Sequence, residues 1–334
     1  MTGTRKALAA AFFAVFSCGA ALGQVTVLQL QVDNFRHYTY DVTDYSKFAT
    51  GAAETTAVNA KNFSTRICFA DIVAVNGKPV KGTQVLRVTG VGLSPNPTPG
   101  QAIADTARRG YADSVFDIMQ ADGTPVGSIT YIGLVGGAPP PGAPLDSTLA
   151  GNFVVTGGTG AFLGVRGELT AMDPPGPPEH AASVTEDPSN RRTYTTNATH
   201  HFILHLIPMT SPQVVAASNG PAIVHASDFS LVTAAKPAKS GEILSLIATG
   251  LGPTRPGVDP GQPFPVSPLQ LVNSPVDVTV NGVAAQVLYA GGYPGSTNAY
   301  QVNFQLPSGV TPGSASLQIS AAWIAGPPVS FAVQ

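Results

Sequence analysis

Charged side chains make up only 11% of the 334 residues, and the chain has one tryptophan and two cysteines. Each shortage excludes something. Cys18 falls in a leader-like stretch, so Cys68 stands alone in the mature chain and no intramolecular disulfide can form. Stability must then come from core burial, and the length suffices for two domains of about 150 residues. The formal net charge is −2, and losing Arg5 and Lys6 with the leader takes it to −4. That balance offers no basic footprint for nucleic acid or anionic lipid. No apolar run is long enough to span a bilayer. There is no HExxH, no CxxC, no GxSxG elbow and no P-loop, and no cofactor is expected. His200, His201 and His205 do not replace them. On a strand, His201 and His205 share a face about 13 Å apart at ~3.3 Å per residue, while His200 points the other way, so no metal site is expected.

What the chain has in plenty is glycine (36) and proline (30), against an apolar fraction of 43% that is too high for a disordered chain. The pattern is one of many strands and turns. At the N-terminus, Arg5 and Lys6 precede an apolar run from Ala7 to Phe16, and Ala21-Leu22-Gly23 supplies a small-x-small cleavage site. Residues 1–23 therefore read as a secretion signal, cut near Gly23/Gln24, and the protein is expected outside the cytoplasmic membrane.

The stretch "VVTGGTGAFLG" (154–164) looks at first like a dinucleotide loop. Such a loop needs a helix after it, whose free N–H groups hold the phosphates. Here "VRGELTAMDPPGPP" follows, alternating and then rich in proline, and Leu163 stands where the spacing of extended dehydrogenases needs its last glycine. Gly157, Gly158 and Gly160 are read instead as turn glycines between two strands.

Strand patterns run through the first half: 24–32, 65–75, 83–91, 111–120, 126–135, 151–157, 161–171 and 196–208. Asn76-Gly77 and Asp122-Gly123 mark hairpins. The best helical candidate is weak, at 46–58, and proline-rich loops fall at 136–147 and 173–180. About eight sequential strands favour an antiparallel closed barrel, since closure removes exposed edges. Residues 208–219 lack periodicity and read as a linker. Beyond them Tyr300, Val302, Phe304 and Leu306 alternate with polar residues, Leu317, Ile319 and Trp323 share a face, and Asn281-Gly282 marks another hairpin. Residues 220–334 are expected to form a β-sandwich without a core disulfide. The fold class is thus all-β: an eight-stranded antiparallel closed barrel over 24–207, then an Ig-like sandwich.

"FVVTGGTGAFLGVRGEL" (153–169), with "ADIVAVNGKPVKGTQV" (70–85), resembles the allene oxide cyclase and dirigent-type family of lipocalin-like barrels. The resemblance spans roughly 24–207. Separately, "GEILSLIATGLGPTRPG" (241–257), "VTVNGVAAQVLYAGGYPG" (278–295) and "YQVNFQLPSGVTPG" (300–313) resemble the Ig-like C-terminal module of secreted acidobacterial (Solibacter-type) proteins. The first resemblance implies an open barrel, a small apolar or phenolic ligand, frequent trimers, and a pocket role for Arg166, which matches the arginine of the dirigent "ARG" tripeptide. It implies no catalytic group, because Ala161 and Phe162 stand where dirigent proteins often carry an acid or base after the glycine turn.

Strand parity puts Phe162, Arg166, Glu168 and Thr170 on one face and Leu163, Val165 and Leu169 on the other. If Arg166 faces inward, the apolar face is outward and a homotrimer would cover it. If Leu163, Val165 and Leu169 form the core, Arg166 and Glu168 are solvated. Asp71, Asp117 and Arg87 each interrupt an apolar strand, so the expected ligand-binding set is Arg166, Asp71, Asp117, Arg87 and Glu168. Three functions remain: a secreted binder of a small apolar ligand, a cyclase- or dirigent-like enzyme, and a purely structural extracellular protein. Arg166 turned to solvent over a filled barrel would favour the last.

Overall fold

The structure is a computed structural model that describes residues 26–41, 62–92, 109–135, 151–172, 194–195, 199–259 and 261–334. The leader (1–23), the helical candidate at 46–58 and the two proline-rich loops lie outside the described residues. Among those described, no helix is long and apolar enough to cross a membrane.

Eight antiparallel strands close into a barrel: β1 (Thr26–Asp41), β2 (Asn62–Val75), β3 (Lys78–Gly92), β4 (Arg109–Gln120), β5 (Pro125–Val135), β6 (Gly151–Gly158), β7 (Arg166–Met172) and, after the two-residue β8 (Tyr194–Thr195), β9 (His200–Ile207). Closure comes from β1, which pairs β2 on one side and β9 on the other. Alternation drives this arrangement. Leu28, Leu30 and Val32, then Phe116 and Ile118, then Phe202, Leu204 and Leu206 all face a common core, while the residues between them face out.

Asn76 and Gly77 have φ of 50° and 73°, as a two-residue hairpin twisted with its strands requires. Asn76 also accepts a hydrogen bond from Gln29 N (2.8 Å) and donates its own N–H to Gln29 O (2.8 Å). Asn281 does the same with Ser316, both bonds being 2.8 Å. In each hairpin the turn asparagine ties the loop to a third strand.

The second region is one curled sheet whose two halves enclose one core. Strands 243–249, 299–305 and 286–292 form one half, and 276–280, 313–321 and 329–333 the other. Strand 283–292 passes between them, pairing 278–280 through its first residues and 300–305 through its last. Leu244, Leu246, Val302 and Phe304 pack against Val280, Leu317, Ile319 and Phe331, so the result is a β-sandwich.

Two expectations need correction. Part of the 208–219 linker is strand: Gln213–Val214 pairs Thr249 and Ala248, and Val215 N donates to Ile247 O at 2.9 Å. A short segment without alternation can still fill a sheet edge. Trp323 does not join Leu317 and Ile319. The strand ends before it in a turn, Ala322 and Trp323 having φ of 49° and 62°. That turn carries Ala322, Trp323 and Ile324 into the barrel's core cluster instead. The sandwich therefore plugs the barrel end that holds the short turns. Around the plug, Lys78 pairs with Asp277 (2.8 Å), Gln120 Nε2 donates to Asn273 O, and Arg255 donates to Thr124 Oγ1. This is the lower end. The opposite, upper end is where the connections 42–61, 93–108, 136–150 and 173–193 leave the strands.

Candidate functional site

The five expected ligand residues stand on the barrel's outer wall, all exposed. Their inward placement is corrected: each alternates with buried neighbours such as Ile72, Val88, Phe116 and Leu169, so strand parity turns it outward. Gly160–Phe162 is a 3-10 turn and Gly164 has φ of 72°, so parity breaks before β7 and only Phe162 and Leu163 change faces. Phe162, Val165 and Leu169 are all buried, whereas Leu163 is 67% exposed. Arg166 Nη1 donates to Val165 O at 2.9 Å. Glu168 meets His205 Nδ1 at 3.2 Å, Arg87 meets Asp113 at 2.9 Å, and Asp71 accepts from Asn34 Nδ2 at 2.6 Å. Asp117 lies opposite Thr83 and Ser128. These are separate surface contacts, not a site. The trimer argument loses its premise as well, because Val165 and Leu169 are inside.

Two of the three turn glycines are sterically required. A Cβ on Gly158 would lie 2.6 Å from both Phe162 O and Ser128 O, and one on Gly160, at φ of 61°, would lie 2.5 Å from Val126 O. Gly157 has no such conflict; its nearest neighbour would be Arg166 Nη1 at 3.5 Å.

Among the described residues, the polar groups buried toward the middle and upper barrel include Gln84, Ser114, Tyr131 and His200. Gln84 shares its parity with Leu86 and Val88. It reaches from β3 across β4 to β5, where its Nε2 donates to Tyr131 Oη at 2.8 Å. The residue is 1% exposed and its Oε1 has no partner. Whichever way the amide is turned, one polar end is unmatched. Ser114 Oγ donates to Val85 O at 2.9 Å and lies opposite both Leu86 and Tyr131 in the ladder.

Level with Gln84 and Tyr131 an aromatic floor crosses the barrel. Phe153 meets Tyr131 edge-on (ring centroids 5.2 Å apart), Tyr131 tilts against Phe116 (5.1 Å), and Phe116 meets Phe202 edge-on (5.1 Å). Toward the upper end several inward positions are small, Cys68, Ala112, Gly133 and Ala171, among larger ones such as Val88 and Phe35. Leu86 packs on the core yet is only half-buried. His200 is buried at the rim, stacked on Phe35 with centroids 4.6 Å apart, while His201 and His205 face outward. No group of three metal-ligating side chains occurs among the described residues.

Gln84, Ser114 and Tyr131 were missed in the sequence because neutral polar residues announce no chemistry. The signal available was parity: in "TQVLRV" (83–88) Gln84 keeps step with Leu86, and Arg87 does not.

No family model matches the chain, and no curated protein matches it. A solved polysaccharide lyase aligns over 90% of this chain at 7% identity with a TM-score of 0.19. The chain spans 39% of that lyase's length, and a likeness this weak carries no argument.

Proposed function

We propose that the protein is a secreted, non-catalytic binder whose barrel holds a small, neutral, largely apolar molecule above its aromatic floor. The observation that carries this reading is the buried Gln84 amide. An unpaired amide oxygen in the interior costs about 1–3 kcal/mol, and a ligand hydroxyl or N–H would remove that cost. Eight-stranded barrels are just wide enough to be filled by side chains or to hold one small ligand. Here the ladder sets Ala70 on one side of Gln84 and Phe116 on the other. Gln84, Ser114 and Tyr131 are all uncharged, which favours a neutral ligand and binding over acid–base chemistry. A phenol or alcohol fits, its hydroxyl donating to Gln84 Oε1 and its apolar body resting on Phe116 and Phe153. The leader-like N-terminus supports export.

A structural role is the second reading. It draws on Arg166 facing solvent and on the lower half of the barrel, which Leu28, Ile72, Ile118, Ile129 and Leu206 fill. Titration with phenol, followed by ligand-observed NMR, separates the two. Binding that weakens several-fold in Gln84→Leu and is unchanged in Arg166→Leu supports the chamber. Absence of binding to the wild type leaves the structural role.

A further inference from the structure

We infer that the outer face of the sandwich carries a binding site for a neutral saccharide, built from Tyr289 on strand 283–292 and from Gln301 and Asn303 on strand 299–305. The ladder sets Tyr289 opposite Asn303 and Gly291 opposite Gln301. These four residues share the face turned away from the core, since the buried Val302 and Phe304 alternate with the two amides. The site is separate from the barrel chamber.

The tyrosine ring is placed by the glycine two residues on. A strand side chain ordinarily stands up from its sheet. Tyr289 instead lies along its strand: a Cβ on Gly291 would collide with Tyr289 Oη and lie 2.7 Å from its Cζ. Gly291 is buried, whereas Tyr289 itself is only half-buried. Leu271, paired with Gly291 on the other side and 39% exposed, extends the apolar ground. A partly open ring laid along a sheet offers the kind of apolar surface against which the C–H face of a pyranose packs.

The two amides stand beside that ring. Gln301 Nε2 donates to Asn303 Oδ1 at 2.9 Å. The bond steadies both side chains and leaves Gln301 Oε1 as an acceptor next to Asn303 Nδ2 as a donor. If both amides are turned over, the free pair is still one of each. Adjacent sugar hydroxyls, each able to donate and to accept, match such a pair. Strands lie ~4.8 Å apart and successive residues of one face ~6.8 Å apart, so ring and amides fall within reach of one sugar ring. Burial raises the pKa of the Tyr289 phenol, which stays neutral at ordinary pH. The ladder neighbours Ser245, Ile247 and Leu271 are uncharged as well. An acidic sugar would give up its hydration with no cation to replace it.

The experiment is a titration of the full chain with methyl glucoside, read by residue-resolved amide chemical shifts. Sorbitol, which has the hydroxyls but no ring, is the comparison. Saturable shifts at Gly291, Gln301 and Asn303 are expected with the glucoside and not with sorbitol. They should weaken several-fold in Tyr289→Ala and in Asn303→Ala, and hold in Tyr289→Phe, which keeps the ring. No saturable shift at these residues, equal shifts with sorbitol, or shifts unaffected by Tyr289→Ala or by Asn303→Ala would overturn the site.

Discussion

The two ends of the barrel are made by the same strands with the same alternation, yet they differ in what they enclose. At the lower end, Leu28, Ile72, Ile118 and Leu206 are fully buried, and the sandwich adds Ala322 and Ile324 to the same core. Toward the upper end, Gln84 lies between Ala70 and Phe116 in the ladder and carries an unmatched oxygen. Pairing alone therefore does not decide whether a small barrel is packed or holds a space. Side-chain volume along each strand matters as well, and each end carries an unmatched polar atom, Gln84 Oε1 above and Trp323 Nε1 below.

The largest test of this contrast is a matched truncation. Leu28→Ala, in the packed half, should cost about 2–5 kcal/mol through lost burial and a new cavity. Leu86→Ala removes the same atoms from a half-buried position above the floor and should cost about 1 kcal/mol. Urea unfolding of both variants measures the difference; equal losses would mean that the two halves are packed alike.

Next in size is the glycine turn that closes the lower end. Gly160→Ala must adopt a left-handed backbone and meet Val126 O, and should cost about 1–3 kcal/mol. Gly157→Ala, with open space, should stay within about 0.5 kcal/mol. Thermal unfolding checks both.

A smaller effect comes from pH and tests how far the plug depends on the sandwich. Burial alone would raise the pKa of Glu242, but the Lys239 N–H and the His225 imidazole, 2.6 Å away, outweigh it and hold the carboxyl below its ordinary range. A depressed folded-state pKa gives stability that is full above the unfolded value and is lost as pH falls through the folded one. Trp323, the chain's one tryptophan, sits in the plug. Its emission should shift to the red below about pH 4, and the acid transition should be shallower in Glu242→Gln. The smallest effect belongs to the surface pair at the junction: with Lys78 and Asp277 being 57% and 45% exposed, Asp277→Asn should change stability by less than about 1 kcal/mol.

Much of this fold was legible in the sequence because period-two alternation and Asn-Gly turns are local signals. Asn76-Gly77 and Asn281-Gly282 both stand where the sequence puts them. The site was not legible for the same reason inverted. Arg166 was placed inward by its match to the dirigent tripeptide, while strand parity left both faces open and could not choose between them. Val85 and Phe69 are apolar yet exposed, so strands β2 and β3 are hydrophobic on both faces and hydrophobicity alone cannot say which one lines the interior. Gln84 becomes visible only once the barrel is closed and its amide is seen to reach two strands away. Trp323 was placed on a strand face because nothing in "AAWIAG" (321–326) shows that two successive non-glycine residues take positive φ.

The most direct measurement is a crystal of the full chain soaked with 4-bromophenol, with the bromine located by its anomalous signal. The chamber predicts a bromine inside the barrel above Phe116, with the phenol oxygen within hydrogen-bond distance of Gln84. An empty barrel interior, or a bromine only on the outer wall beside Arg166, would contradict it.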